Sequence, residues 1–223
     1  MQVYKIGIPE IAISPIASKL KSSIYIGPTL WIISGGSNIQ LEVAIMERID
    51  SELSSNLTIA LADERYGAYN HPDSNWVQLL KAGFDPKNGQ LVETLNQNYT
   101  SLSDTVKSYQ DRLLPIIEDT STVIGQFGMG NDGHIAGILP NSPASQELPD
   151  IITSYQSQPY TRITFTFNGI RKISSAFLVA VGQEKHDQLD KLINQNLPLN
   201  IQPAQIIKQL PESYVYNDQI EGK

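Results

Sequence analysis

The chain has 223 residues, no cysteine and a formal net charge of −7 at pH 7. These values exclude disulfides and cysteine-ligated metals, and they argue against a general nucleic-acid-binding protein, which usually has a basic face. No apolar run approaches the ~20 residues of a membrane span, and the N-terminus lacks the basic and apolar regions of a signal peptide. We therefore expect a cytoplasmic protein with one domain over residues 1–223.

The first half of the chain alternates short apolar runs with segments of helical periodicity. A strand is predicted at 30–33 and ends in the sequence SGGS at 34–37. Apolar residues near a 3.6 period then predict a helix over 38–50. A second strand at 57–61 runs into DERY at 63–66. The other predicted elements of this half are a helix near 75–82, a strand at 91–95 and a helix from Ser103 or Asp104 to about Ile117.

The second half continues this alternation. A strand at 122–127 leads into GMGNDGH at 128–134, and residues 140–160, rich in Pro, Ser and Gln, are predicted to be an excursion over the surface. Further predicted elements are strands at 162–167, 176–181 and 214–216 and a helix at 185–193. This order predicts an α/β fold with three α/β/α layers and a mostly parallel, Rossmann-like sheet. Ligands bind beyond the carboxyl ends of such strands, so the SGGS, DERY and GMGNDGH loops should converge on one cleft.

The SGGS sequence between a strand and a helix suits an anion. Gly35 and Gly36 let the backbone approach a ligand closely, and the following helix offers free N–H groups and the positive end of its dipole. The alternative is a tight turn in which Ser37 caps the helix. The Gly-Lys-Ser/Thr sequence of a P-loop is missing, which argues against binding of nucleoside triphosphates.

A G-x-G-x-x-G pattern at 128–133 follows a strand, as it does in dinucleotide-binding proteins. In those proteins the pattern is followed by a long helix and by a second strand that ends in an acidic residue. Pro140 and Pro143 end any helix here after about two turns. A nicotinamide cofactor is therefore not predicted.

Asp132 and His134 form the sharpest candidate for catalysis. Histidine transfers protons near neutral pH, and a nearby carboxylate can fix its tautomer and raise its basicity. The alternative is a loop histidine that is hydrogen-bonded for structural reasons. Of the other two histidines, His71 is expected in a turn, where it could contact a ligand, and His186 on a solvent-facing part of a helix.

Several charged residues follow other strands. Asp63, Glu64 and Arg65 lie at a strand end, where Arg65 could bind phosphate through two parallel hydrogen bonds. Lys185 and Arg162 are further candidate cations. For each of these cations an intraprotein salt bridge is the alternative. No spacing of histidines and acids resembles a metal site.

Four sequence blocks together resemble the 6-phosphogluconolactonase family, whose superfamily also contains glucosamine-6-phosphate deaminase and ribose-5-phosphate isomerase. The blocks are ISGGS at 33–37, LADERY with HPDSN at 61–66 and 71–75, GMGNDGHIAGILPNSPA at 128–144, and RITFTF with FLVAVGQEK at 162–167 and 177–185. Their order and spacing resemble the family over most of the chain. The resemblance implies a NagB/RpiA-like fold and hydrolysis of 6-phospho-D-glucono-1,5-lactone to 6-phosphogluconate in the oxidative pentose phosphate pathway, without a metal or cofactor.

The resemblance also implies roles for individual residues. His134 matches the general base that activates water, and Asp132 would orient it. Arg65 matches a contact to the substrate phosphate or carboxylate. The remaining implied substrate contacts are Gly35, Gly36, Ser37, Asp63, Gly130, Arg162 and Lys185. The implied partner is a phosphorylated sugar lactone, and we expect a monomer.

Some residues depart from the family pattern. Asn38 and Ile39 stand where the family usually has Thr-Pro, and Gly137 ends an Ile-Ala-Gly sequence where it usually has Thr-Ala-Ser. The region before Ile33 is short, so an N-terminal helix is expected to be trimmed.

Two alternative functions stay open. One is a glucosamine-6-phosphate deaminase or isomerase, which the His-Ile-Ala sequence favours, although that branch has Asp-Glu-Tyr instead of Asp-Glu-Arg. The other is a sugar-phosphate-binding protein without catalysis, which the altered residues at 38, 39 and 137 suggest.

Overall fold

The computed structural model describes residues 1–98 and 101–222. The strands in these residues are β1 (Gln2–Lys5), β2 (Thr29–Ile33), β3 (Leu57–Leu61), β4 (Asp63–Tyr66), β5 (Gln90–Val92), β6 (Thr122–Phe127), β7 (Ile152–Gln156), β8 (Thr161–Phe165), β9 (Ser175–Ala180) and β10 (Glu212–Asn217). The α-helices are α1 (Ile13–Ile26), α2 (Ile39–Glu47), α3 (Asn75–Lys81), α4 (Leu102–Asp119), α5 (Phe167–Ile170) and α6 (His186–Asn194).

A seven-stranded sheet forms the centre of the fold, in the order β1-β10-β9-β6-β2-β3-β5. Every pairing in it is parallel, which confirms the predicted mostly parallel sheet. Alternate residues of β2 face opposite layers: Leu30 and Ile32 belong to one hydrophobic cluster, Trp31 and Ile33 to the other. Helices α4 and α6 contribute to the first cluster and α1 and α2 to the second, so the predicted three-layer α/β/α arrangement is confirmed.

A second sheet of three antiparallel strands, in the order β4-β8-β7, is absent from the sequence-based prediction. Its pairing places Arg65 of β4 opposite Arg162 of β8. Ile163 and Phe165 of β8 join the hydrophobic cluster that contains Leu30. The small sheet therefore packs on the large one through a shared core, and it contains three of the predicted site residues, Asp63, Arg65 and Arg162.

The segment around 140–160, predicted as a surface excursion, is in part a component of the core. It contains β7 and a 3-10 helix at Pro143–Ser145. Ala144, Ile152 and Tyr155 are buried, and the Tyr155 hydroxyl donates a hydrogen bond to the Gly137 carbonyl at 2.6 Å. The prediction is corrected for these residues, because β7 is a strand of the small sheet and the apolar side chains of this Pro- and Ser-rich segment pack in the core.

Most predicted elements are found in the structure, but several boundaries differ. Strand β5 ends at Val92 and not at Leu95, and helix α2 ends at Glu47. Helix α4 begins after Ser101, whose Oγ accepts from the Asp104 N–H at 3.1 Å, so Ser101 and neither Ser103 nor Asp104 is the cap. Strand β8 ends at Phe165, before the short helix α5. An N-terminal helix is present, since α1 has 14 residues and buries an apolar face; that this helix is trimmed relative to the family stays a prediction. None of the described helices is long and apolar enough to cross a membrane.

Candidate active site

One cleft, with a volume of about 340 Å³, lies where the chain leaves β2, β6 and β9. The predicted convergence of the SGGS, DERY and GMGNDGH loops is found there. The predicted site residues that line it are Gly35, Gly36, Ser37, Asp63, Arg65, Gly130, His134, Arg162 and Lys185. Asp132 lies beside the cleft, against His134. Residues that line the cleft without having been predicted are Ser34, Asn75, Gly128, Met129, Ala136 and Glu184.

His134 and Asp132 form a hydrogen-bonded pair at this cleft. The imidazole Nδ1 lies 2.7 Å from Asp132 Oδ1, and the backbone N–H of His134 donates to the same oxygen at 3.1 Å. A carboxylate can only accept, so in the neutral imidazole Nδ1 carries the proton and Nε2 is the unprotonated nitrogen. The His134 side chain is 31% exposed, which leaves the ring accessible to a ligand.

Asp132 stays ionised beside the imidazole. Partial burial alone would raise the pKa of Asp132, but the hydrogen bonds and the charge of His134 outweigh that effect and lower the pKa below its ordinary value. Gly130 makes the pairing possible, because a Cβ at this position would collide with His134 Nδ1 and lie 2.6 Å from Asp132 Oδ1. The Gly130 N–H also donates to the His134 carbonyl at 3.0 Å. The loop thus requires glycine there for its own geometry.

The SGGS loop uses its amides in two ways. The N–H groups of Ser34 and Gly35 donate to Glu42 Oε1 on α2, both at 3.0 Å. Gly35 and Gly36 have φ values of +68° and +59°, a region that favours glycine. The N–H groups of Gly36 and Ser37 begin the helical turn and have no acceptor among the described residues. These two amides are available to an anion in the cleft.

Asp63 and Arg162 form an ion pair on neighbouring strands of the small sheet. A guanidinium nitrogen of Arg162 lies 3.2 Å from Asp63 Oδ2, and the two side chains are 17% and 7% exposed. Burial raises the pKa of Asp63, while the charges of Arg162, His134 and Arg65 oppose that rise. Arg162 therefore makes the salt bridge that the sequence left as an alternative, and it lines the cleft as well.

Arg65 is held by a backbone carbonyl and an aromatic ring. One guanidinium nitrogen donates to the Asp73 carbonyl at 3.0 Å, and the guanidinium carbon lies 4.9 Å from the centre of the Tyr160 ring, within cation–π range. The Nε of Arg65 is buried and has no hydrogen-bond partner among the described residues. His71 Nε2 lies 2.8 Å from the Arg65 carbonyl, which agrees with the turn position expected for His71.

Glu64 is buried and connects β4 to the start of α3. Its Oε1 accepts from the N–H groups of Arg65 and Asn75, each at 2.7 Å. Its Oε2 accepts from Ser74 Oγ at 2.8 Å and from the Trp76 N–H at 3.3 Å. Burial raises the pKa of Glu64, and these hydrogen bonds oppose the rise. This anchoring role was not predicted, and the only sequence signal for it is a serine placed to cap a helix.

Lys185 and Glu184 line the cleft from the turn that precedes α6. This turn begins at Gly182, which has a φ of +126° and donates its N–H to Asp218 Oδ2 at 3.1 Å. His186 Nε2 lies 3.2 Å from Asp218 Oδ1, and the His186 side chain is 33% exposed. The prediction of a solvent-facing His186 is therefore corrected: the side chain is partly buried and paired with a carboxylate.

Two departures from the family pattern have packing reasons. A Cβ at Gly137 would lie 2.9 Å from the Cβ of Asp63 and 3.0 Å from that of Thr164, so the close contact with the small sheet selects glycine. Asn38 is buried against Gly128, with its Nδ2 3.4 Å from the position of a Cβ on that glycine, and this Nδ2 has no hydrogen-bond partner among the described residues. In the part of the chain that the structure describes, no group of three or more His, Cys, Asp or Glu side chains could hold a metal ion.

Known proteins resemble the chain over most of its length. The profile of the family described as glucosamine-6-phosphate isomerases/6-phosphogluconolactonase matches residues 13–215. Probable 6-phosphogluconolactonase 1 of Arabidopsis thaliana is 28% identical over 190 residues, which cover 75% of this chain and 69% of that protein. Probable 6-phosphogluconolactonase 2 of Oryza sativa subsp. indica is 31% identical over 154 residues, covering 60% of this chain and 54% of that protein. A 6-phosphogluconolactonase structure from Shewanella baltica shares the fold, with a TM-score of 0.82 over 97% of each chain at 18% identity.

Proposed function

The chain belongs to the glucosamine-6-phosphate isomerase/6-phosphogluconolactonase family, and from this premise we propose that it hydrolyses 6-phospho-D-glucono-1,5-lactone to 6-phosphogluconate. The observation that carries the proposal is the His134–Asp132 pair beside a cleft that also contains the free amides of Gly36 and Ser37 and the guanidinium of Arg65. Lactone opening needs a base beside the carbonyl carbon and an anchor for the phosphate in one pocket.

In this proposal His134 is the general base. Its Nε2 takes a proton from water while the water oxygen bonds to the C1 carbonyl carbon, and the carbonyl electron pair moves to oxygen. When this tetrahedral oxyanion collapses, the bond from C1 to the ring oxygen breaks, and the imidazolium returns the proton to the departing alkoxide. Asp132 accepts the hydrogen bond of Nδ1 throughout and stabilises the imidazolium.

We assign the phosphate to the amides of Gly36 and Ser37 together with Lys185 and Arg65. Free N–H groups at the start of a helix and its dipole favour a phosphate, and charged donors strengthen the hydrogen bonds. These groups give a local anion site to a chain with a net charge of −7. The reaction would place the protein in the oxidative pentose phosphate pathway.

A coupled assay with freshly generated lactone, in the presence of a chelator, tests the proposal. We expect turnover well above spontaneous hydrolysis, which must be subtracted because this lactone opens unaided. Ammonia release from glucosamine 6-phosphate without lactone turnover would replace the proposal with a deaminase. Saturable binding of 6-phosphogluconate in calorimetry without turnover would instead indicate a sugar-phosphate-binding protein.

Arg65→Ala is expected to weaken substrate capture. Loss of a charged hydrogen bond costs about 1.5–3 kcal/mol, so KM should rise by roughly one to two orders of magnitude while kcat changes little. Steady-state kinetics measure both values. Arg171→Ala is a matched control, because the Arg171 guanidinium pairs with Glu147 outside the cleft. An unaltered KM for Arg65→Ala would dismiss its role as a phosphate anchor.

Tyr160→Leu is expected to raise KM by about two- to fivefold, because the ring face that holds the Arg65 guanidinium is worth about 0.5–1 kcal/mol at a partly exposed site. Tyr160→Phe keeps the ring and should retain the wild-type KM. If the two variants had the same KM, the aromatic ring would have no part in orienting Arg65.

A further inference from the structure

The carboxyl group of Glu42 lies directly behind the loop to which the phosphate is assigned. Glu42 is fully buried on α2, and its Oε1 accepts the N–H groups of Ser34 and Gly35, both at 3.0 Å. Its Oε2 is buried without a hydrogen-bond partner among the described residues. Burial of a carboxylate with one unpaired oxygen lowers the stability of the folded protein. Because Glu42 lies beneath the loop to which the phosphate is assigned, a role in binding that phosphate would account for its presence.

We propose that Glu42 is a positioning residue that makes the Gly36 and Ser37 amides available to the phosphate and that takes up a proton when the phosphate binds. The inference rests on the proposed function, because it assumes that a phosphate binds at this loop. Oε1 holds the two preceding amides inward, and the loop then passes through positive φ values at Gly35 and Gly36. In this conformation the next two amides have no acceptor within the described protein.

The surroundings of Glu42 do not neutralise its charge. Burial is the dominant cause of a rise in the pKa of Glu42 from 4.5 to about 7; the hydrogen bonds from Gly35 and Ser34 oppose this rise, and the charge of Asp63 contributes to it. The helices that pack on α2 bury only uncharged side chains, namely Ile13, Ile16, Ala17, Leu20, Ser23 and Ile24 of α1 and Asn75, Trp76 and Leu79 of α3. The charged side chains of the adjoining cleft are Asp63, Arg65, His134 when protonated, Arg162, Glu184 and Lys185.

A phosphate at the loop would face this carboxyl group across a few backbone atoms. A phosphoester is mostly dianionic above its second pKa of about 6, so its charge disfavours the ionised form of Glu42. Protonation removes the repulsion, and the carbonyl oxygen of the neutral acid can still accept from Ser34 and Gly35. Phosphate binding should therefore be accompanied by proton uptake, and affinity should fall as pH rises above 7.

Two substitutions distinguish the role of Glu42 as a hydrogen-bond acceptor from the effect of its negative charge. Glu42→Gln keeps a carbonyl acceptor for Ser34 and Gly35 and has no charge, whereas Glu42→Met removes the acceptor at similar size. We expect Glu42→Met to bind 6-phosphogluconate at least about tenfold more weakly than the wild type. Glu42→Gln should bind at least as well as the wild type at pH 7. Glu47→Met, exposed at the end of the same helix, is the control for loss of a charge from α2.

Isothermal titration calorimetry with 6-phosphogluconate, in two buffers of different ionisation enthalpy, measures affinity and proton uptake together. The wild type should take up more protons on binding near pH 7 than Glu42→Gln does, by up to about half a proton. Its affinity should also decline between pH 7 and pH 8.5 more steeply than that of Glu42→Gln. The difference in proton uptake between the two proteins reports on Glu42 alone, because protons exchanged by the phosphate itself or by His134 contribute equally to both.

The outcomes distinguish this inference from the proposed function. Equal affinities of the wild type and a folded Glu42→Met would overturn the positioning role and leave the phosphate assignment intact. No binding of 6-phosphogluconate by the wild type would refute the phosphate assignment itself. Should Glu42→Met not fold, Glu42→Gln decides: proton uptake and pH dependence identical to those of the wild type would overturn the inference.

Discussion

Replacement of His134 by alanine is expected to lower kcat for lactone hydrolysis by about 10²–10⁴-fold, the usual contribution of a general acid–base group. The imidazole is oriented by Asp132 at 2.7 Å, and no other histidine of the described residues lines the cleft. The protein therefore has no second imidazole to accept the proton from water. The coupled lactone assay, with spontaneous hydrolysis subtracted, measures this loss.

The same variant should bind 6-phosphogluconate about as tightly as the wild type, because the groups assigned to the phosphate do not include His134. Asp132→Asn provides a graded comparison. Its carbonyl oxygen can still accept from Nδ1 and from the His134 N–H, but the negative charge that stabilises the imidazolium is lost. We therefore expect kcat to fall by less than in His134→Ala while the shape of the loop is kept. A kcat close to the wild-type value for folded His134→Ala would show that another group activates the water.

The convergence of the cleft loops could be predicted because each loop follows a strand. SGGS, DERY and GMGNDGH come after apolar runs, and the carboxyl ends of parallel strands meet at one edge of a sheet. Gly36 and His134 could therefore be placed in one pocket from local sequence alone. The pairing of His134 with Asp132 could be predicted without knowledge of the fold, since only one residue separates them in the chain.

The groups that hold these side chains in place could not be predicted in the same way. Glu42 lies in a helix that the sequence defined by its apolar positions, and its acceptor role depends on where the preceding loop folds back. Tyr160 meets Arg65 because β4 pairs with β8, two short strands far apart in the chain. Strand β8 was predicted, but β4 and β7 are short, contain several polar residues and give a weak periodic signal, so the pairing of the small sheet becomes evident only in the structure.

Glu42→Gln is expected to make the folded protein more stable than the wild type at alkaline pH. The pKa of Glu42 rises from 4.5 to about 7 on folding, chiefly because burial penalises the charged form. A carboxyl group with a raised pKa contributes stability that is complete below 4.5 and is lost as the pH rises through 7. This pKa difference corresponds to a loss of about 3 kcal/mol in the free energy of unfolding, at about 1.36 kcal/mol for each pKa unit. The total free energy of unfolding of a typical protein is about 5–15 kcal/mol. Glutamine is neutral at every pH and avoids this loss.

Urea unfolding between pH 5 and pH 8.5 measures the effect as the difference in free energy of unfolding between the variant and the wild type. This difference should grow with pH and level off above about pH 8, and Glu47→Gln on the exposed end of α2 should show no such trend. The glutamine carbonyl can replace Oε1 as acceptor, and its amide nitrogen takes the place of an oxygen that has no partner among the described residues, so the variant loses no hydrogen bond. Stability without ligand and proton uptake with ligand report on the same carboxyl group. A constant difference across this pH range would therefore also remove the reason to expect proton-linked binding of the phosphate.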